Sequence, residues 1–346
     1  MNVNVLLLCG GNGAEHAISL ISASYVEEQL RKNAGFNVVK AIIDHETFRE
    51  ATSGELITFN PGRTISFNAG NSRQTLPIDA VVPCLHGFPG ETGDIQSFLR
   101  LMGLPCVGCD SESSRISFNK VLTKLCLTSL GIPNSPFIAL AGADKESLSR
   151  AHAFFNEHQD VYVKAASQGS SIGCYHVSKE HDLEDSIVEA FTFSRDVLIE
   201  KTIPHRELEV AAYVYQGQLH ISTPGEIIMP DNLFYTYEEK YSQDSGTVTT
   251  VTPAGLTPAI VERIQEVARR TFQGLKMQDL SRIDFFLTPE GEVLVNEPNT
   301  FPGMTPISMF PKLVEHMGLA MSEFFRDRVL AAIARQKAES SRALRM

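Results

Sequence analysis

Between Arg282 and Thr300 the chain reads RIDFFLTPEGEVLVNEPNT, strand-forming residues interrupted by charge. Phe285, Phe286, Leu287, Val293, Leu294 and Val295 favour strands and Pro289-Glu290-Gly291 is turn chemistry, so the stretch predicts a β-hairpin. Charge inside a sheet is costly unless something pairs it, yet one arm carries Arg282 and Asp284 and the other ends in Glu297-Pro298-Asn299. Side chains two apart share a strand face, which groups Arg282 with Asp284 and Glu297 with Asn299. An odd pairing register puts both groups on one side of the sheet. Two carboxylates and an amide oxygen gathered there make a poor ion pair but good ligands for a hard cation, such as Mg²⁺ carrying substrate phosphates. Arg282 beside them would stabilise anionic charge at a transferred phosphoryl group or an oxyanion.

Other segments carry compatible chemistry. VKAASQGSSIG (163–173) sets Lys164 at a strand end before a loop of small residues. That loop either wraps triphosphate oxygens with N–H groups and hydroxyls, Lys164 compensating their charge, or is a plain hairpin tip. EKTIPHRELEV (200–210) places Glu200 at a strand end with Glu207 and Glu209 nearby. It reads either as an acid for ribose hydroxyls, with the backbone of Lys201–Ile203 facing a base edge, or as a solvated turn. YTYEEKY (235–241) lies in a long polar loop, a lid delivering Lys240 and Tyr241 or an exposed charged loop. CGGNGAEH (9–16) sits where a dinucleotide fingerprint would, but His16 takes the third glycine's place. Glu15 projects from that turn into the cleft at the strands' carboxyl ends. HGFPGETGDIQ (86–96) opens with His86, either a satisfied loop histidine or a neighbour of Glu15. Lys120 and Lys164, the hydroxyl-rich loop, a ribose-type acid, a lid lysine and the hairpin's acids together specify ATP with magnesium.

Periodicity supplies the framework that holds these residues. Val3–Cys9, Val38–Ile43 and Ala80–Leu85 read as buried strands, alternating with helices over Ala17–Asn33 and Gly93–Met102, so the first unit is α/β with a parallel sheet. Ile57–Gln74 reads as short antiparallel strands or loops. Ser111–Leu130 reads as one helix, stopped by Gly131-Ile-Pro. Short strands and helices without tandem βα repetition, from Phe137 to Glu200, predict an α+β second unit. Strands over Leu208–Tyr215 and Leu219–Ile221, a helix over Pro258–Gly274 and the hairpin form a third. The expected units are 1–108, 109–203 and 204–335, with 336–346 a flexible tail.

The chain of 346 residues, 43% apolar and 21% charged, has the composition of a globular protein with a sizeable core. A formal charge of −11 argues against a nucleic-acid partner. No stretch approaches the ~18 apolar residues of a membrane span, and the N-terminus lacks a signal-peptide pattern, so a cytoplasmic location is expected. Six scattered cysteines include Cys106-Val-Gly-Cys109, but no second ligand pair accompanies it, and small buried thiols are the simpler reading. A nicotinamide oxidoreductase built on the first glycine turn would leave Asp284, Glu297 and Asn299 unexplained. A nucleotide sensor would bind ATP without turning it over.

In order and spacing, GGNGAEHAIS, HGFPGETGDIQ, NKVLTK, VKAASQGSSIG, EKTIPHRELEV, YTYEEKY, RIDFF and NEPNTFPGMT resemble the D-alanine–D-alanine ligase family of the ATP-grasp superfamily, over nearly the whole chain. The resemblance implies a three-domain ATP-grasp fold that grips ATP between the central and C-terminal domains, behind the N-terminal parallel-sheet domain. It implies an ADP-forming ligation of two D-alanines through an acyl phosphate for peptidoglycan synthesis, with two Mg²⁺ or Mn²⁺ ions, in a homodimer. By the same resemblance Glu15 engages the first D-alanine's ammonium, and Glu15, Ser170 and Tyr241 tie the lid shut. Lys120, Lys164 and Lys240 correspond to phosphate-binding lysines, and Glu200, Lys201, Ile203 and Glu207 to the adenosine site. Asp284, Glu297 and Asn299 correspond to metal ligands, Arg282 and the Gly303 backbone to oxyanion stabilisers, and Ser308 and Met309 to the holders of the second substrate's carboxylate. Ala165, Thr202, Pro298 and Phe301 depart from the family pattern. Tyr241 fits the dipeptide-forming type, since the depsipeptide type departs at that tyrosine. A sibling ligase with another acceptor, such as D-serine, is the near alternative.

Overall fold

The computed structural model describes residues 2–228 and 248–343. Its elements, in chain order, are β1 (Val3–Gly10), α1 (His16–Arg31), β2 (Phe36–Asp44), β3 (Thr47–Glu50), β4 (Thr58–Asn60), β5 (Thr64–Ala69), β6 (Ser72–Pro77), β7 (Ala80–Pro83), α2 (Asp94–Leu101), α3 (Ser111–Phe118) and α4 (Lys120–Ser129). Next come β8 (Phe137–Leu140), α5 (Lys145–His158), β9 (Val161–Ala165), β10 (Cys174–Val177), α6 (Leu183–Phe193) and β11 (Val197–Lys201). The last stretch holds β12 (Arg206–Tyr215), β13 (Gln218–Ile221), β14 (Gly225–Ile228), β15 (Val248–Thr250), α7 (Pro258–Gly274), β16 (Leu280–Leu287), β17 (Val293–Asn299), α8 (Met309–His316) and α9 (Met321–Ala343).

The first sheet has the order β3-β2-β1-β7, parallel except for β3. β1 is apolar on both faces because both are covered. Val5, Leu7 and Cys9 meet α1 and α9, while Leu6 and Leu8 meet α2 and the antiparallel β4-β5-β6 flap. The second sheet, β10-β9-β11-β8, is antiparallel. Val161, Val163, Val197 and Ile199 bury one face under α5 and α6, so alternation turns Lys164 and Glu200 to the opposite face. The third sheet, β15-β14-β12-β16-β17 with β13 on β12, packs α7 against Val210, Ala212, Ile283 and Phe285. Its other face places Ala211 and Tyr213 in the same core as β1, α8 and α9. The first and third sheets therefore share one hydrophobic cluster.

One helical expectation is corrected. The single helix over 111–130 is two, because Asn119 leaves helical geometry (φ −85°, ψ 105°) and its side-chain oxygen accepts from Leu122 N at 3.0 Å. Asparagine competes for backbone donors in this way, and the cap starts a new helix. The break sets Lys120 at the first position of α4. The expected tail from Gln336 continues α9 as far as Ala343. Just before it, α9 is anchored on Asp279, 2% exposed, which accepts from Arg335 Nη1 and Nη2 (3.0 and 2.9 Å), Arg328 Nη1 (3.1 Å) and Gly108 N (2.8 Å). Arg335 also donates to Cys106 O at 3.0 Å, so α9 clasps the connection leaving the first sheet.

Removing one member of such a buried charged cluster strands the others. Asp279 has φ +59°, a conformation asparagine tolerates, so Asp279→Asn isolates the charge effect from backbone strain. It should lower unfolding stability in urea by about 3 kcal/mol or more; a loss under about 1 kcal/mol would show that the cluster is not a clasp.

Candidate active site

The hairpin's register explains how its acids come together. From the turn, Leu287 pairs with Val293 and Phe285 with Val295, an even register that would turn Glu297 and Asn299 onto the core face with Phe285. A β-bulge then intervenes, Asn296 being the unpaired extra residue, and Asp284 pairs with Glu297 and Arg282 with Asn299. The odd register expected from the sequence thus arises at the bulge, not at the turn. Pro298 is tolerated because β17 is an edge strand.

On this face the poor ion pair expected of the acids is replaced by a strong one. Arg282 donates from Nε and Nη2 to Asp284 Oδ1 and Oδ2, both at 2.7 Å, and Nε lies 3.1 Å from Glu209 Oε1. Glu209 is the cross-strand partner of Asp284 on β12, so the guanidinium fork spans two carboxylates on neighbouring strands. Asn299 Nδ2 donates to Asp284 Oδ2 at 3.0 Å. Glu297 reaches outward, its Oε2 3.5 Å from Lys120 Nζ. Lys120 also donates to Gln168 O at 2.7 Å, so the α4 start links the hairpin to the 166–173 loop. Among the described residues no three His, Cys, Asp or Glu side chains form a metal cluster; the candidate set is two carboxylates and an amide.

A cleft of about 710 Å³ opens over this face. Glu15, His86, Ser170, Lys120, Glu297 and Asn299 line it, together with Arg282, Gly303, Ser308 and Met309. Ser170, at φ +53°, donates from Oγ to Glu15 Oε1 at 2.6 Å, so two of the three expected lid partners meet. A Cβ at Gly87 would come within 2.6 Å of Glu15 Oε2 and one at Gly169 within 3.0 Å; both glycines make room for that carboxylate. His86 satisfies both readings. It is buried, bonded to Ser22 Oγ (3.0 Å) and Phe301 O (3.1 Å), and it faces the cleft. Burial, opposed in part by Glu15, lowers its basicity. Ser308 stands at the N-terminal boundary of α8 without a side-chain cap bond and shares its hydroxyl with Thr305 Oγ1 at 2.8 Å. Lys240 and Tyr241 lie outside the described residues.

Behind the cleft, Glu200 differs from the free strand-end acid expected. It lies inside β11, 2% exposed, with Oε1 paired to Lys164 and Oε2 2.9 Å from Lys124. Burial alone would raise its carboxyl, but the two lysines hold it well below the usual range. Lys201 N is taken by Pro136 O at 3.0 Å and Ile203 O by His205 Nδ1 at 2.5 Å. Glu207, half-buried on β12, pairs in register with Phe286, whose ring lies tilted against that of His205.

Three residues escaped sequence reasoning. Lys124 sits one helical turn after Lys120, at the end of NKVLTK. Lys312 lines the cleft beside Ser308 and donates to Thr249 Oγ1 at 2.9 Å. Glu91, in the glycine-rich loop after β7, accepts from Gly87 N at 3.0 Å. Burial, then the charges of Glu15 and Glu297, push its carboxyl up to about 8. An acid within a glycine loop at a strand's carboxyl end was the available signal.

Comparison with known proteins identifies the family. Residues 4–109 match the family model for the D-ala D-ala ligase N-terminus and residues 126–329 that for the D-ala D-ala ligase C-terminus. The chain is 49% identical over 332 residues to the D-alanine–D-alanine ligase of Aeromonas hydrophila, covering 96% of this chain and 99% of that one. The solved D-alanyl-alanine synthetase A of Vibrio cholerae superposes with a TM-score of 0.90 at 46% identity, covering 96% and 99%. The VanG D-Ala:D-Ser ligase of Enterococcus faecalis superposes at 0.84 with 26% identity, covering 96% and 100%. The fold is that of an ATP-grasp enzyme, a class that activates carboxylates with ATP. Within that class, the chain belongs to the D-alanine–D-alanine ligase family.

The Glu91 carboxyl gives a pH prediction. Its folded-state value lies above the ordinary 4.5, so the native chain keeps a proton that the unfolded chain releases, and stability falls as pH rises from 4.5 to about 8. Glu91→Gln removes that loss. Its urea midpoint should gain on the wild type's between about pH 5 and about pH 8.5; parallel pH profiles would contradict the assignment.

Proposed function

We propose that the protein joins two D-alanines into D-alanyl-D-alanine, converting ATP to ADP and phosphate, for peptidoglycan precursor synthesis. A carboxylate is a poor electrophile because its oxygen leaves badly. Attack of the first D-alanine's carboxylate on the γ-phosphate makes an acyl phosphate, and attack by the second D-alanine's amine then expels phosphate. The observation that carries this reading is one cleft that holds two kinds of chemistry. Glu15, held by Ser170 at 2.6 Å, suits an amino acid's ammonium, and Lys120, 3.5 Å from Glu297, points to phosphate.

Arg282 and the Gly303 backbone would stabilise the oxyanion, the guanidinium being released from Asp284 as anionic charge develops. Ser308 Oγ and the Met309 N–H, at the start of α8, suit the second substrate's carboxylate. Lys120, Lys164 and Lys240 would hold the phosphates, and Glu207 with the 200–203 segment the adenosine. The donor set Asp284, Glu297 and Asn299 is all oxygen once the Asn299 amide is turned over, which fits Mg²⁺ or Mn²⁺. These residues would hold two ions, which when bound neutralise charge on the transferred phosphoryl group. The segment with Lys240 and Tyr241 would close over the cleft and exclude water from the acyl phosphate. We place the enzyme in the cytoplasm, where ATP and D-alanine are found, as a homodimer, and retain the division at 108 and 203 into three domains.

Phosphate release from ATP tests the reading. It should depend on D-alanine and not on L-alanine, and D-alanyl-D-alanine should accumulate. Arg282→Met should lower kcat by about 10²–10³-fold, and Glu297→Gln should lower activity with a raised divalent-ion requirement. Failure of the wild type to form the dipeptide, with another D-amino acid such as D-serine accepted instead, would reassign the acceptor.

A further inference from the structure

Lys124 is 2% exposed, on the face of α4 turned towards the second sheet. Its Nζ donates to Ser135 Oγ at 2.5 Å and lies 2.9 Å from Glu200 Oε2; Ser135 Oγ donates to the same oxygen at 2.8 Å. Lys164 holds the other oxygen, Oε1. One buried carboxylate therefore serves two ammonium groups, Lys124 buried and Lys164 partly so. Glu297 also acts on both lysines, but it is itself engaged by Lys120. A surplus positive charge in so dry a place is unfavourable unless an anion joins it. Burial holds the Lys124 ammonium below the ordinary lysine range despite Glu200, whereas Glu200 outweighs burial at Lys164 and raises it.

We infer that Lys124 is a positioning residue that keeps Glu200 neutralised, so that Lys164 is free to turn to a nucleotide's polyphosphate. The inference rests on the ATP reading above. With Lys124 present, Glu200 keeps an ammonium and the Ser135 hydroxyl after Lys164 departs. Without it, every Lys164–phosphate contact would strand a buried carboxylate, and that penalty would be taken from nucleotide affinity. Lys124 touches no substrate and acts only through Glu200 and Lys164.

Lys124→Met leaves a neutral Lys164–Glu200 pair, so the variant should melt no lower than the wild type. Calorimetric titration of the full chain should show ATP and ADP binding weakened about tenfold or more, adenosine binding unchanged within about twofold, and the KM for D-alanine unmoved. General damage to the pocket would weaken adenosine as much as ATP and would overturn the inference, as would unchanged ATP affinity. Ser135→Ala, which loosens the seat of Lys124 and Glu200 without removing a charge, should show the same pattern at about threefold, and its absence would count equally against the inference if the methionine variant does not fold. A wild-type chain that binds neither ATP nor ADP would refute the nucleotide reading itself, a result distinct from either of these.

Discussion

The site depends on one extra residue in an edge strand. Side chains alternate across a sheet, so a register shift of a single residue exchanges its two faces. Asn296 supplies that shift. Without it Glu297 and Asn299 would lie with Phe285, in the core under α7, and Asp284 would face the cleft without them. The turn of the hairpin contributes nothing to this outcome; the even register it sets ends at the pairing of Phe285 with Val295.

Around that face the protein keeps its charges in pairs that a polyanion can contest. Arg282 spans Asp284 and Glu209, Lys120 meets Glu297, and Lys124 with Lys164 meets Glu200. Each pairing holds a flexible basic side chain near its working position, in surroundings dry enough for charge to matter. The glycines serve the same end by subtraction, since a Cβ at Gly87 or Gly169 would displace the Glu15 carboxylate. Because the first and third sheets share a core and α9 clasps Asp279, the loops from the first sheet meet the hairpin in a fixed relation.

Much of this was legible in the sequence where a period or a cap announced it. β1 was plain because it is apolar on both faces, and α7 was read with its bounds intact because Thr257 caps it and Pro258 opens it. The chemistry-bearing residues were legible by type and by family resemblance: Glu15, Ser170, Lys120, Arg282 and Glu297 do converge on one cleft. The features that escaped notice depended on tertiary contacts or on a single side chain. Asn119 lies within a helical pattern and breaks it only because its side chain caps α4. The end of α9 is too polar for its sequence to suggest an anchor, yet Arg335 finds one some 56 positions earlier in the chain. Lys124 and Glu200 look like solvated charges until α4 lies across β11 and dries both.

If the bulge gathers Asp284, Glu297 and Asn299 into a cation-holding face beneath a nucleotide's phosphates, manganese can be used to locate it. The measurement is anomalous diffraction from crystals grown with Mn²⁺ and a non-hydrolysable ATP analogue. A manganese peak is expected within about 2 Å of oxygens from those three side chains, with Arg282 swung away from Asp284. A peak elsewhere, with the Arg282–Asp284 fork intact beneath the bound nucleotide, would contradict this reading of the hairpin.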